Sequence, residues 1–218
     1  MALAAGGFDQ LEQARMVRDE PARISRNHFR SWLRREAATE EHFVAALDPG
    51  NSAVWYVLVV NLAPPLDGEY LFRVTAPPGF PQKPPEFTAL TPNGVFEING
   101  PLCISIGKYH PQNYAQALGM DGFMRNAAMC LATFDSEIHG IGVTILPAAE
   151  QQRLANRSLA YNAGLEGKAG RGRALVEEAI AAHPDFLAAR LLLARRAARA
   201  GAATATETAA ATHAAAGA

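Results

Sequence analysis

Residues 91–111, TPNGVFEINGPLCISIGKYHP, place one cysteine between two turns. Cys103 follows Asn93 by ten positions and precedes His110 by seven. A cysteine thiolate attacks acyl groups, and a neighbouring imidazole can tune the thiol or orient an acceptor. An amide beside the thiol can stabilise the oxyanion of acyl transfer by about 2.7–4 kcal/mol. Because free cysteines are also among the most buried residues, Cys103 is either an acyl-carrying nucleophile or a core residue.

The two polar partners of Cys103 each have a structural alternative. Asn-Gly is a common turn pair, so Asn93 either donates to an oxyanion, braces the turn, or does both. His110 precedes a proline, and such a loop histidine can simply cap its own turn. Cys130 stands in the apolar run AAMCLA, which predicts a core position.

Composition excludes several classes of function. The chain has 218 residues, 49% of them hydrophobic, and a formal net charge of −1, so we expect a globular protein without nucleic-acid binding. Two cysteines suit a reducing compartment, and MALAAGGFDQ lacks the pattern of a secretory leader. The longest apolar run, Ala53–Val60, is far short of the ~20 residues of a bilayer span. We therefore expect a cytoplasmic protein with no membrane span.

The elements before residue 91 predict a helix followed by an antiparallel meander. Residues 1–20 carry no clear signal, whereas an amphipathic helix with an arginine-rich face is predicted to begin near Pro21. Turn clusters then separate three strand-like runs, SAVWYVLVVNL, EYLFRVT and EFTAL. Because no helix intervenes, the strands are predicted to pair antiparallel.

The elements after residue 111 predict helices. One helix is expected over Met120–Phe134 with an apolar stripe, and another begins after Pro147 and closes at Gly164. Residues 165–173 have the composition of a linker. Two alanine-rich helices joined at His183-Pro184-Asp185 follow, and residues 201–218 are of low complexity. We divide the chain into a core, 21–164, a helical extension, 165–200, and a tail.

The order of these elements and the motifs between them resemble the ubiquitin-conjugating enzymes (E2). Within that family, the chain resembles the J group, which is associated with protein degradation at the endoplasmic reticulum. The resemblance lies in a series of motifs: TPNG, then Phe96, then LCISI, then His110-Pro111. That group has Thr-Pro-Asn-Gly in place of the commoner His-Pro-Asn signature, and the same Asn-to-Cys spacing. The run ANRSLAYN is similar to its post-catalytic helix.

The resemblance implies a ubiquitin-conjugating α+β fold and a thioester mechanism. It makes Cys103 the nucleophile that accepts ubiquitin, or a related modifier, and Asn93 its oxyanion or loop residue. It implies three partners besides the modifier: an activating enzyme (E1), a ligase (E3) and a protein substrate offering a lysine or hydroxyl. The family's acceptor gate maps loosely onto Asp135, Ser136 and His139. Its E1-binding surface maps onto Arg23, Arg26 and Arg30, for which a merely solvated face is the alternative.

No bound cofactor or metal is implied. The sequence has no GxxxxGK[ST] motif, so ATP would be used by the separate E1.

Three departures from the family limit the resemblance. Gln82 in PQKPP replaces an apolar residue that grips RING-type ligases, and Tyr114 is the nearest aromatic where a tryptophan is usual, so the ligase contact is in doubt. The J group usually ends in a membrane anchor, whereas arginines flank Leu191–Leu193 here, so we expect that segment not to span a membrane. Recruitment to the endoplasmic reticulum would then need another route. The extension instead resembles one tetratricopeptide-type helical hairpin, although such repeats need neighbours to bury a continuous core.

Two non-enzymatic alternatives remain open at this point. The first is a catalytically inert variant that binds ubiquitin and acts as a scaffold, although such variants usually lose the cysteine. The second is an adaptor whose working part is the C-terminal hairpin.

Overall fold

The described residues form one helix, a four-stranded sheet and four further helices. The computed structural model describes the backbone of residues 5–133 and 140–216, and the side chains of residues 19–133, 140–202, 204 and 205. The elements are α1 (Ala5–Arg35), β1 (Phe43–Leu47), β2 (Val54–Val59), β3 (Tyr70–Thr75), β4 (Glu86–Ala89), α2 (Gly119–Thr133), α3 (Ala148–Ala163), α4 (Gly167–Ala182) and α5 (Leu187–Ala216). Two short 3₁₀ turns, Pro111–Asn113 and Gln116–Leu118, precede α2.

The predicted α+β fold is confirmed. The strands follow in the order β1-β2-β3-β4, and each pairs antiparallel with the next. The three predicted strands are β2, β3 and β4. The sequence interpretation missed β1, whose segment FVAAL is short and has two alanines in place of β-branched residues.

Three helical boundaries differ from the sequence prediction. Helix α1 begins at Ala5, so Pro21 lies inside it and costs it one backbone hydrogen bond. Helix α4 begins at Gly167, within the segment taken for a linker. Helix α5 continues to Ala216, through the low-complexity tail. Both segments are rich in glycine or alanine, and their composition alone does not distinguish a helix from a linker.

The sheet is covered on both faces. Its inner face packs on α1 and α2, and the apolar stripe predicted for α2 is buried there. Its outer face packs on α4 and α5, with Tyr56, Leu58 and Leu71 buried against Val176 and Leu192. All six residues of β2 are therefore buried, which explains its uninterrupted apolar sequence.

Close contact between α4 and the sheet depends on Gly172. A Cβ placed there would lie 2.1 Å from Cδ1 of Tyr56, well inside van der Waals contact. We expect Gly172→Ala to lower the free energy of unfolding by about 1–3 kcal/mol, because the methyl group forces α4 away from the sheet. Urea unfolding measures the change.

The matched control for that substitution is Gly201→Ala in α5. A Cβ at Gly201 meets no atom within 4 Å, so alanine there should be neutral or stabilising by up to about 1 kcal/mol through helix propensity. Equal effects of the two substitutions would contradict the close approach at Tyr56.

His28 joins α1 to the start of α2. Its Nδ1 accepts a hydrogen bond from the backbone N–H of Met120 at 3.3 Å, and its ring meets Phe80 edge-on. Burial lowers the pKa of His28 from its ordinary 6.5, although the Asp121 carboxylate opposes this. The folded protein therefore favours the neutral imidazole that this hydrogen bond requires.

This shift makes stability depend on pH. Below pH 6.5 the unfolded chain binds a proton that the folded chain resists, so the free energy of unfolding falls as pH drops below that value. We expect His28→Asn to flatten this dependence, because its amide oxygen stands where Nδ1 stood and accepts from Met120 without titrating. Urea midpoints at about pH 7.5 and 5.5 test the difference, with the wild-type chain as the control. Parallel pH profiles for the two proteins would contradict the assignment to His28.

Candidate active site

The TPNG turn is held by its asparagine. The Asn93 side chain is fully buried, and its Oδ1 accepts from the backbone N–H groups of Val95 and Phe96 at 2.9 and 2.7 Å. Its Nδ2 donates to the carbonyl of Thr91 at 3.0 Å. These bonds lie within the turn, and Asn93 makes no described hydrogen bond to Cys103. Of the two roles left open by the sequence, this geometry favours the brace.

Cys103 lies on a loop that a neighbouring segment supports. Its backbone N–H donates to the carbonyl of Ile141 at 2.8 Å, and Glu97 donates likewise to Gly142. An antiparallel bridge joins Phe96 to Val143. The segment 140–146 therefore lies along the chain that leads from the TPNG turn to the cysteine and supports it.

Two glycines permit this close approach. Gly142 has a φ of +72°, and a Cβ on it would lie 2.3 Å from the carbonyl oxygen of Pro101. A Cβ on Gly140 would lie 3.1 Å from Cβ and 3.4 Å from Sγ of Cys103. Because position 140 has no side chain, Gly140 can lie against the thiol without a clash. The spacing GIG in the sequence was the available signal for both positions.

His110 lies directly beside the thiol. Its Nε2 is 3.2 Å from Cys103 Sγ, and Cys103 is half-buried. Successive turns bring the imidazole back to the cysteine, with Gly107 N–H donating to Ile104 and His110 N–H donating to Gly107. The Nδ2 of Asn113 closes the loop by donating to the carbonyl of Ser105 at 2.9 Å.

This pair has the geometry of an activated nucleophile. A thiol within hydrogen-bond reach of an imidazole can pass its proton to the ring and attack an acyl group. After acylation, the same imidazole lies beside the thioester sulfur, where it can accept a proton from an attacking hydroxyl or amine.

The second thiol has a different environment. Cys130 lies on α2 and packs partly into the inner core, with its Sγ near Asn126 Oδ1 and Ser105 Oγ. Burial raises the pKa of Cys130, although Ser105 opposes the shift. The raised pKa disfavours a thiolate there, in agreement with the predicted core position.

The three predicted gate residues, Asp135, Ser136 and His139, lie outside the described residues. Their role stays a prediction. Among the described side chains, those of residues 19–133, 140–202, 204 and 205, no three His, Cys, Asp or Glu groups lie together so as to hold a metal ion. Along the described backbone, residues 5–133 and 140–216, every helix is too short or too polar to span a bilayer.

Curated relatives of the chain are ubiquitin-conjugating enzymes. It is 29% identical over 123 residues to Ubiquitin-conjugating enzyme E2 34 of Arabidopsis thaliana, covering 56% of this chain and 51% of that protein. It is 37% identical over 93 residues to the same plant's E2 32, covering 42% and 29%. It is 28% identical over 116 residues to the human E2 J2, covering 52% and 44%.

The other two comparisons add little to this similarity. No family model matches the chain. Among solved structures, human Ubiquitin-conjugating enzyme E2 G1 aligns with a TM-score of 0.43 and 23% identity, over 52% of this chain and 95% of that one. The chain spans about half the length of the E2 34 protein.

The residues that the resemblance predicts to contact an E1 or a ligase differ in their exposure. Arg23, Arg26 and Arg30 are exposed on α1, and Arg26 also donates from Nε to Ser52 Oγ at 3.0 Å. Gln82 is exposed in the proline-rich loop. Burial raises the pKa of Tyr114 to about 12, and its hydroxyl is enclosed. Tyr114 therefore packs inward and does not replace the missing surface tryptophan.

Proposed function

We propose that this protein is an active E2 that carries ubiquitin, or a related modifier, as a thioester on Cys103. The observation that carries this proposal is the 3.2 Å contact between Cys103 Sγ and His110 Nε2 on a half-exposed loop. A buried structural cysteine needs no such partner. The homology of the core to E2 enzymes supports the same chemistry.

The cycle has two acyl transfers. The Cys103 thiolate attacks the modifier's C-terminal thioester on an E1, which has already consumed the ATP, and the E1 thiol leaves. A lysine amine or a serine or threonine hydroxyl of the substrate then attacks the Cys103 thioester, His110 takes the acceptor's proton, and the Cys103 thiolate leaves. Asn93 keeps the loop in place by fixing the TPNG turn.

His110 gives a specific reason to include hydroxyl acceptors. A neutral hydroxyl keeps its proton at neutral pH, so its attack benefits from a base that removes the proton in the transition state. A lysine amine that arrives already deprotonated depends less on such a base. Transfer to hydroxyls is therefore part of the proposed activity, alongside transfer to lysine.

We also propose a place in the cell. The resemblance of residues 91–111 to the J group supports a role in degradation at the cytoplasmic face of the endoplasmic reticulum. In this proposal a partner at the membrane, a RING-type ligase or another protein, binds the E2 there.

A charging assay tests the proposed function. The protein is incubated with a modifier, the cognate E1 and ATP, and separated on gels with and without reductant. We expect an adduct with ubiquitin or one of its relatives that a thiol reagent removes. If no modifier forms an adduct on folded protein while a thiol probe leaves Cys103 unmodified, the non-catalytic scaffold becomes the better description.

A further inference from the structure

The C-terminal helix α5 is anchored on the core by a buried ion pair. Arg196 donates from Nη2 to Glu69 Oε2 at 2.6 Å and from Nε to both carboxylate oxygens, and it also binds Glu177 of α4. Glu69 is only 1% exposed. A buried carboxylate without its cation is strongly unfavourable, so the position of α5 is tied to this residue.

The backbone of Glu69 also forms hydrogen bonds with two side chains of α3. Its N–H donates to Ser158 Oγ at 2.8 Å, and its carbonyl accepts from Asn162 Nδ2 at 2.9 Å. Ser158 and Asn162 are both buried. Both belong to the run ANRSLAYN, and their hydrogen bonds fix the backbone of Glu69, which directly precedes β3.

Asn162 is in turn hydrogen-bonded to Thr91, the first residue of the TPNG turn. Thr91 Oγ1 donates to Asn162 Oδ1 at 2.5 Å and accepts from the N–H of Leu71 at 2.8 Å. The Thr91 carbonyl accepts from Asn93, which in turn holds the N–H groups of Val95 and Phe96. Phe96 pairs with Val143 in the segment that supports Cys103.

We propose that α5 positions the active-site loop through this chain of buried contacts, from Arg196 through Glu69, Asn162 and Thr91 to Asn93. The four residues that precede Asn93 are positioning residues, since none of them touches Cys103. Losing one member leaves its buried partner unsatisfied, and the remaining bonds then shift together. The catalytic consequence rests on the proposed function, whereas the structural coupling does not.

Hydrogen exchange tests the coupling without any enzymatic activity. Arg196→Lys keeps the charge but loses the planar fork that binds both oxygens of Glu69. We expect it to speed the exchange of the Val95 and Phe96 amides roughly two- to tenfold. The matched control is Arg199→Lys, because Arg199 anchors the same helix to Asp67 and does not contact Glu69. Unchanged exchange in Arg196→Lys, or equal acceleration in both variants, would overturn the proposal.

Single-turnover transfer tests the catalytic consequence. Thr91→Val removes the hydroxyl at nearly constant shape, and Thr91→Ser keeps it. Starting from protein pre-charged at Cys103, we expect valine to slow transfer to free lysine roughly two- to tenfold and serine to restore the wild-type rate. Equal slowing of transfer in the two variants, or no slowing in either, would contradict the positioning role of Thr91. If the wild-type chain never charges, the proposed function fails and the exchange experiment still decides the coupling.

Discussion

Cys103→Ala is expected to abolish the thiol-sensitive adduct with the modifier completely. Alanine has no nucleophile, and no other described thiol is close to His110. The substitution should leave the fold intact, because Cys103 is only half-buried and its backbone N–H bond to Ile141 is kept. Gel electrophoresis without reductant measures the adduct, and urea unfolding checks the fold.

Two further substitutions sharpen that result. Cys103→Ser should give a slower adduct that resists thiol reagents, because an oxyester replaces the thioester. Cys130→Ala is the matched control and should charge normally, since burial disfavours the Cys130 thiolate. An adduct that survives Cys103→Ala but disappears in Cys130→Ala would place the nucleophile on α2 and refute the assignment.

His110→Gln is expected to slow transfer to a serine or threonine acceptor by about a hundredfold while charging continues. Glutamine can keep a hydrogen bond near the sulfur but cannot take the acceptor's proton. Transfer to free lysine should slow less, because a neutral amine attacks without first losing a proton and therefore depends less on a base in the transition state. Single-turnover discharge of pre-charged protein onto both acceptors measures the two rates.

His183→Gln is the control for that prediction. His183 stacks on Phe186 between α4 and α5, away from the active-site loop. It should leave both transfer rates unchanged. If His110→Gln slowed charging and discharge equally, His110 would be a structural cap of its loop, which is the alternative that its place before Pro111 suggested.

The centre of the site was predictable from sequence because its residues are close along the chain. Cys103 and His110 are seven positions apart, and the turns between them bring the imidazole to the thiol. The apolar stripe of α2 followed from periodicity, and the antiparallel pairing of the strands followed from the short turns between them with no intervening helix. In each of these cases local sequence and final structure agree.

Contacts between distant segments were not predictable. The hydrogen bonds between Arg196 and Glu69 join residues 127 positions apart in the chain. From the sequence, Arg196 was only one of the arginines that disfavour membrane insertion. Gly172 was assigned to a linker because glycine disfavours helices, whereas its contact with Tyr56 makes the lack of a side chain useful. Both misses arise from tertiary packing, which overrides local propensity.

Because α4 and α5 cover the outer face of the sheet, a binding partner cannot contact that face directly. A partner that does not displace α4 and α5 must bind another surface, such as α1 or the loops around Cys103. Shortening the chain after Asn162 would strip the cover from Tyr56, Leu58 and Leu71. Such a fragment should aggregate, so loss of activity on truncation would report exposed apolar surface and not a missing adaptor.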